Sequence, residues 1–399
     1  MKQKLKEHKG ITLIALIITI IVLLILAVVA ISVVNGNGIL NHAQNAKIEY
    51  SQAQTNEQAT LDGYLEKLNT ESAKINGGGV GGKTVKGSLN KVINTQDNTP
   101  LTDEYGNKIT VPAGFKILVD DTTNYTADNI NVTKGIVVED GEGNQFVWIP
   151  VGTIYRNAEK TESKTITLGR YRVFTKNEDG TYTVAQDANT ATTQTVVDGY
   201  TEDTTANHNS EYGNAIAKNI GEFCTKANSS GGYYIGRYEA RTETERKSES
   251  DALKSVTLKA NDYVYNYITQ PQASERCQSM YTNKPYESDL VNSYAWDTAI
   301  IFFQEFGENS TYASKTSVNS ALANTGTSVT SYTGTKDVIC NVYDMASNYA
   351  EYSTETSSIN DTYTRRGGHS YYGSLYTSAR GTTGLSAFHD ISFRPLLYM

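Results

Sequence analysis

Phe146-Val147-Trp148-Ile149-Pro150-Val151-Gly152 decides the fold class, because a short apolar run closed by turn residues reads as a strand of a sheet. Similar β-rich runs lie on either side at Phe115 to Val119, Gly135 to Val138, Thr165 to Phe174, Thr181 to Ala185 and Tyr233 to Tyr238. Asp-Gly pairs at 140–141 and 179–180 mark hairpin turns between them. Two stretches carry helical patterning: Gln272 to Tyr281, and Glu287 to Phe306 with Leu290, Tyr294, Ile301 and Phe302 on one side. The expectation is an α+β domain with long irregular loops, and the Thr, Asp and Asn-rich stretch 186–210 reads as a surface insertion. No internal repeat is visible.

The chain has 399 residues, enough for two or three regions at roughly 100 to 200 residues per domain. Hydrophobic residues make up 38%, and exchanging the 28 Tyr for the 32 Gly, as the usual apolar count does, hardly changes that share. It lies below the roughly 45–50% of an ordinary globular domain, so the surface is rich in Tyr, Thr, Ser and Asn. Only 20% of residues are charged, which argues against charge-driven disorder. Net charge is −8 although Lys2, Lys4, Lys6 and Lys9 crowd the N-terminus, so the body is more acidic still. Such a body repels nucleic acid and is not expected to bind it. Cys224, Cys277 and Cys340 fit neither zinc spacing nor a dense disulfide framework; one pair could bridge outside the cell, and the sequence leaves open which.

Ile11 to Val34 is free of charge, Pro and Gly, and as a helix it covers about 36 Å, enough to span a bilayer. The preceding lysines place everything after it outside the cell. The leader ends in Lys9-Gly10, followed by Ile11-Thr12-Leu13-Ile14-Ala15. This junction resembles the class III leader of type IV prepilins and pseudopilins. The resemblance implies cleavage by a prepilin peptidase between Gly10 and Ile11, methylation of Ile11, and a helix held first in the membrane and then among other pilin-like subunits. The fifth mature position, usually Glu in major pilins, is Ala15, which points to a tip or minor subunit rather than a shaft subunit. The resulting organisation is a leader at 1–10, a hydrophobic helix at 11–34, an amphipathic helix at 35–75, a Gly-rich linker at 76–96 and a globular domain at 97–399.

Five blocks stand out within that last region. They are Phe146 to Gly152; Gly232-Tyr233-Tyr234-Ile235-Gly236-Arg237-Tyr238-Glu239; Asn341-Val342-Tyr343-Asp344-Met345-Ala346-Ser347-Asn348-Tyr349-Ala350-Glu351-Tyr352; Arg366-Gly367-Gly368; and Ile391-Ser392-Phe393-Arg394-Pro395. In this order they resemble the formylglycine-generating enzyme (sulfatase-modifying factor) family. The resemblance implies a variant of the C-type lectin fold over residues 97–399. The enzymes of that family place two copper-binding cysteines after R-G-G, and the corresponding positions here are Tyr372 and Thr377. Neither offers a soft thiolate for copper(I), so oxidase activity is not expected. No G-x-S-x-G, P-loop or H-E-x-x-H occurs either. The same resemblance implies calcium held by Asp344, Asn348 and Glu351, unless these groups simply hydrogen-bond their loop.

Between Arg366 and Arg394 the chain is dominated by Tyr, Ser and Gly, the mix that gives antibody paratopes rigid aromatic contacts and adaptable hydrogen bonds. The segment is similar to the C-terminal variable region of retroelement-diversified proteins, in which adenines of asparagine codons are mutated. That likeness implies a ligand surface on the last strands and loops within 366–394. The expected contacts are His369, Ser370, Tyr371, Tyr372, Ser374, Tyr376, Ser378, Phe388, His389 and Asp390, although some aromatic residues there must face inward. The combined expectation is a non-catalytic adhesin or receptor at the cell surface, binding protein or glycan on another cell or phage. A structural minor pilin and a membrane-anchored formylglycine-type oxidase are the alternatives.

Overall fold

The computed structural model describes residues 84–172, 174–176, 182–184, 192–194, 200–202, 218–316, 320–321, 335–357, 362–369, 376–384 and 386–399. All of them belong to the second of two compact units, Gly81–Met399, the first being Met1–Val80.

The central element is an antiparallel sheet of six strands in the order Glu287–Leu290, Pro395–Tyr398, Gly232–Gly236, Gln145–Pro150, Val137–Glu139 and Lys116–Ile117. Its two central strands are buried except at Gln145, so the alternation of a half-exposed sheet is missing and continuous apolar runs take its place. Trp148 faces Tyr234 across one strand pair with ring centroids 4.9 Å apart. A second sheet joins Tyr200–Glu202, Ala350–Ser357, Thr362–Arg366 and Arg380–Thr383, with Ile391–Phe393 running parallel to Ala350–Ser357.

Among the described residues three α-helices accompany the sheets: α1 (Ile220–Ser230), α2 (Gln270–Gln278) and α3 (Ser293–Phe306). α1 sets Phe223 against Tyr233 and Tyr398, at 5.3 and 5.4 Å between ring centroids. α3 buries Trp296, Ile300, Phe302 and Phe303 in the main core. At the domain's start Val85 is buried, its amide donates to Thr102, and Asn90 brackets Val119. Residues 84–96, expected to end a linker, are therefore part of the domain.

The α+β expectation with a long hydrophobic helix needs correction: the described chain is mostly β-strand, with helices of 11, 9 and 14 residues. No helix among the described residues is long and apolar enough to cross a membrane, so the transmembrane and pilin-like reading gains no support. Gly10, Ile11, the stretch 11–34 and the amphipathic stretch 35–75 lie outside the described residues. A second correction has a clear physical cause. The patterning predicted one helix from Glu287 to Phe306, but Glu287–Leu290 forms the edge strand beside Pro395–Tyr398. The helix starts only after Asn292, whose side chain accepts from the Ala295 amide. That cap satisfies an amide which has no partner inside the helix.

Replacing Asn292 by Ala should lower unfolding free energy by about 1 kcal/mol in urea titration. An unchanged midpoint would mean that this residue does not set the helix start.

Candidate functional site

The segment expected to bind ligand leaves one strand of the second sheet at Arg366 and rejoins the sheet at Arg380. Both arginines point inward. Arg366 donates from Nη1 to Glu355 Oε2 at 3.1 Å and from Nη2 to Asp297. Arg380 places Nε 2.9 and 3.0 Å from the two Glu355 oxygens and Nη2 on Asp297. Arg170 completes the group on Glu355 Oε1. All five side chains are essentially shut off from solvent. Burial alone would raise the Glu355 carboxyl, but Arg380, Arg366 and Arg170 outweigh it and hold it at about 2. Glu202 behaves oppositely: burial and the neighbouring Glu355 raise it, and it accepts from Ser293 and Thr354.

The glycines after Arg366 permit this arrangement. A Cβ on Gly368 would lie 1.8 Å from the Ala346 carbonyl oxygen, and Gly367 has φ +82° with the Met345 carbonyl oxygen 2.5 Å from its Cβ position. R-G-G is thus a buried cation followed by two residues too close to a neighbouring turn to carry side chains.

The returning chain is held along its backbone. The Arg366 guanidinium donates to the carbonyls of Ala379 and Ser378, and Trp296 Nε1 donates to that of Thr377. Thr377 and Ser378 donate in turn to Lys315 and Ala313. Ser378 is therefore buried and serves the loop, which corrects its expected role as a contact. His369 is likewise fully buried, with Nε2 2.9 Å from Asp390 Oδ2. Burial works to raise the half-buried Asp390, but His369 prevails and holds it below the ordinary carboxylate range. Tyr376 is 38% exposed, His389 is exposed, and Phe388 and Asp390 are half-buried. Ser370, Tyr371, Tyr372 and Ser374 lie outside the described residues.

A residue that the sequence did not single out adjoins this surface. Tyr267 has φ +53°, its amide donates to the Phe388 carbonyl, and its ring lies 6.3 Å from that of His389. An aromatic residue in the left-handed region is disfavoured and must be held there. Arg246 does so by donating to the carbonyls of Tyr267, Asn266, Asp251 and Ala252, while Asn266 Nδ2 donates to the His389 carbonyl. Backbone carbonyls accept alike whatever the residue, so the sequence held no signal for this arrangement.

The calcium expectation does not fit the side chains. Both Glu351 oxygens face the Arg394 guanidinium, with Oε2 2.9 Å from Nε. Asn348 Nδ2 donates to Glu239, and Ser347 Oγ donates to Asp344. Asn348 Oδ1 and Asp344 Oδ2 are buried and receive no hydrogen bond, yet two oxygens fall well short of the roughly six to eight that calcium takes. Among the described residues no group of three or more His, Cys, Asp or Glu is arranged to hold a metal. The cysteines are free thiols, and burial raises Cys224 to about 11 and Cys340 to about 12, away from thiolate character. In comparisons with known proteins, no family model, characterised protein or solved structure matches this chain significantly.

Glu355 links the site to stability. Its carboxyl falls from an ordinary 4.5 to about 2 on folding, so its contribution is complete above pH 4.5 and fades as pH drops toward 2. The shift corresponds to roughly 3 kcal/mol. Glu355→Gln should lose about 3–5 kcal/mol at pH 7 and show a flatter acid slope, measured by denaturant titration at pH 2.5, 4 and 7. Parallel pH profiles in the two proteins would refute the network's role.

Proposed function

We propose that the chain is a non-catalytic recognition protein whose ligand surface is formed by the segment between Arg366 and Arg394, with Tyr376, Phe388, His389 and Asp390 as contacts and Tyr267 beside them. One observation carries this reading. The arginines that bracket the segment are locked in buried ion pairs, while Tyr376 and His389 face water between those fixed ends. A rigid frame reduces the ordering entropy lost on binding, and exposed Tyr and His supply contact area and hydrogen bonds. The Tyr, Ser and His composition of the segment supports diversification of these positions while the frame stays constant. The ligand class is protein or glycan, as befits a surface on which the exposed Tyr376 and His389 offer both apolar area and hydrogen bonds.

The test is capture by the purified full chain on cell-surface protein and glycan arrays. Tyr376→Ala and His389→Ala should each weaken the captured interaction by about tenfold or more, as hot-spot aromatic contacts do. Val92→Ala, at an exposed residue bridged to Lys116 on the far edge strand of the first sheet, should leave it unchanged. Equal affinity across all three variants would remove the segment from the binding site.

A further inference from the structure

A cleft of about 590 Å³ opens elsewhere on the domain, between the Asp140–Asn144 hairpin loop, the C-terminal turn of α2 and the chain that follows it. Its volume falls within the range of small-molecule sites, roughly 300–1,000 Å³. The floor is aromatic and rigid: Phe115, Tyr281 and Tyr286 pack with ring centroids 5.5 to 5.8 Å apart. The polar groups above that floor are unevenly spent, and this imbalance defines what the cleft can hold.

The acceptors are mostly used. Asp140 receives the amides of Glu142 and Asn144 on one oxygen, and Asn144 Nδ2 and the Tyr281 hydroxyl, the latter at 2.6 Å, on the other. A carboxylate has about four lone-pair sites, so Asp140 has none left for a ligand. The donors are unspent. Lys284 and Thr282 are exposed, line the cleft and have no hydrogen-bond or ion-pair partner among the described residues, and the Tyr286 hydroxyl has none either. Arg276 reaches in from α2 with only a 3.4 Å contact to its chain neighbour Glu275, and its Nε has no acceptor. α2 itself is fixed by a capping box at Thr269 and by buried Ala273, Ser274 and Cys277, so the guanidinium starts from a settled position. Arg276 and Lys284, with the Thr282 and Tyr286 hydroxyls, thus line one cleft with donor capacity to spare; the carboxylates beside them are the exposed Glu142, Asp140 with its lone pairs already filled, and Glu275 on Arg276.

We propose that this cleft is a second binding site, separate from the C-terminal surface, and that it takes the oxyanion of a small ligand between Arg276 and Lys284. Carboxylate and phosphate share the required chemistry: both accept charge-assisted hydrogen bonds from guanidinium and ammonium groups. The aromatic floor admits the body of a ring-sized molecule behind the charge. The assignment does not depend on what the C-terminal segment binds.

Isothermal titration of the full chain at low ionic strength with inorganic phosphate, glucuronate and uncharged glucose tests it. Phosphate alone, glucuronate alone, or both should bind, the first two outcomes identifying the source of the oxyanion and the third the shared charge. Arg276→Gln and Lys284→Gln should each weaken that binding about tenfold, whereas Glu142→Gln should strengthen it by removing a repelling charge. Lys284 is exposed on a loop, so its variant keeps the test valid should Arg276→Gln fold poorly. Failure of both anions to bind, glucose binding as tightly as glucuronate, or undiminished affinity in the well-folded Lys284→Gln protein would overturn the proposal.

Discussion

Three guanidinium groups and two carboxylates buried in contact with one another are the constraint on which the C-terminal half depends. Arg170, Arg366 and Arg380 meet Asp297 and Glu355 where no water reaches, so each charge depends on the others for solvation. Leaving any one of them without its partner strands a charge in a low-dielectric interior, which is far more unfavourable than losing an apolar contact of similar size. The network ties α3, the strand Ala350–Ser357 and both ends of the looping segment to one point. It specifies register as well as stability, because a shifted strand would pull opposite charges apart where no water reaches them.

Arg394 repeats the device nearby. It spans the Glu351 carboxylate, the Gly236 carbonyl and the Tyr343 carbonyl, and so joins three blocks that stand more than a hundred residues apart at their extremes. Glu239 adds a further tie through Asn348 and Tyr349. Three of the blocks visible in the sequence are therefore parts of one polar framework. Their charged members hold backbone and one another, which explains why a calcium ion finds no free carboxylate at Glu351.

Much of the β-structure was legible because its strands are short apolar runs between turn residues: Phe146 to Val151 and Tyr233 to Tyr238 announce the central pair, which spans Gln145–Pro150 and Gly232–Gly236. α1 was not legible, since Ile220–Ser230 carries only three buried residues and a polar remainder. The helix expected from Glu287 began too early, because strand pairing with the distant Pro395–Tyr398 overrides local periodicity. At the candidate site the composition singled out the segment but not the direction of each side chain. His369 and Ser378 turn inward to Asp390 and Ala313, and Tyr267 joins the surface through backbone contacts that residue types do not encode.

On the proposed reading, the frame fixed by internal charge and the solvent-facing side chains of the segment are separable, so exchanging those side chains should move recognition without moving stability. The most direct measurement exchanges Tyr376, Phe388 and His389 within that segment for other side chains, keeps Arg366, Arg380 and Arg394, and compares captured ligands and melting temperatures with those of the parent chain. Ligand preference should change with the exchanged side chains, with melting temperatures close to that of the parent chain. Preference that stays as in the parent chain would contradict the account.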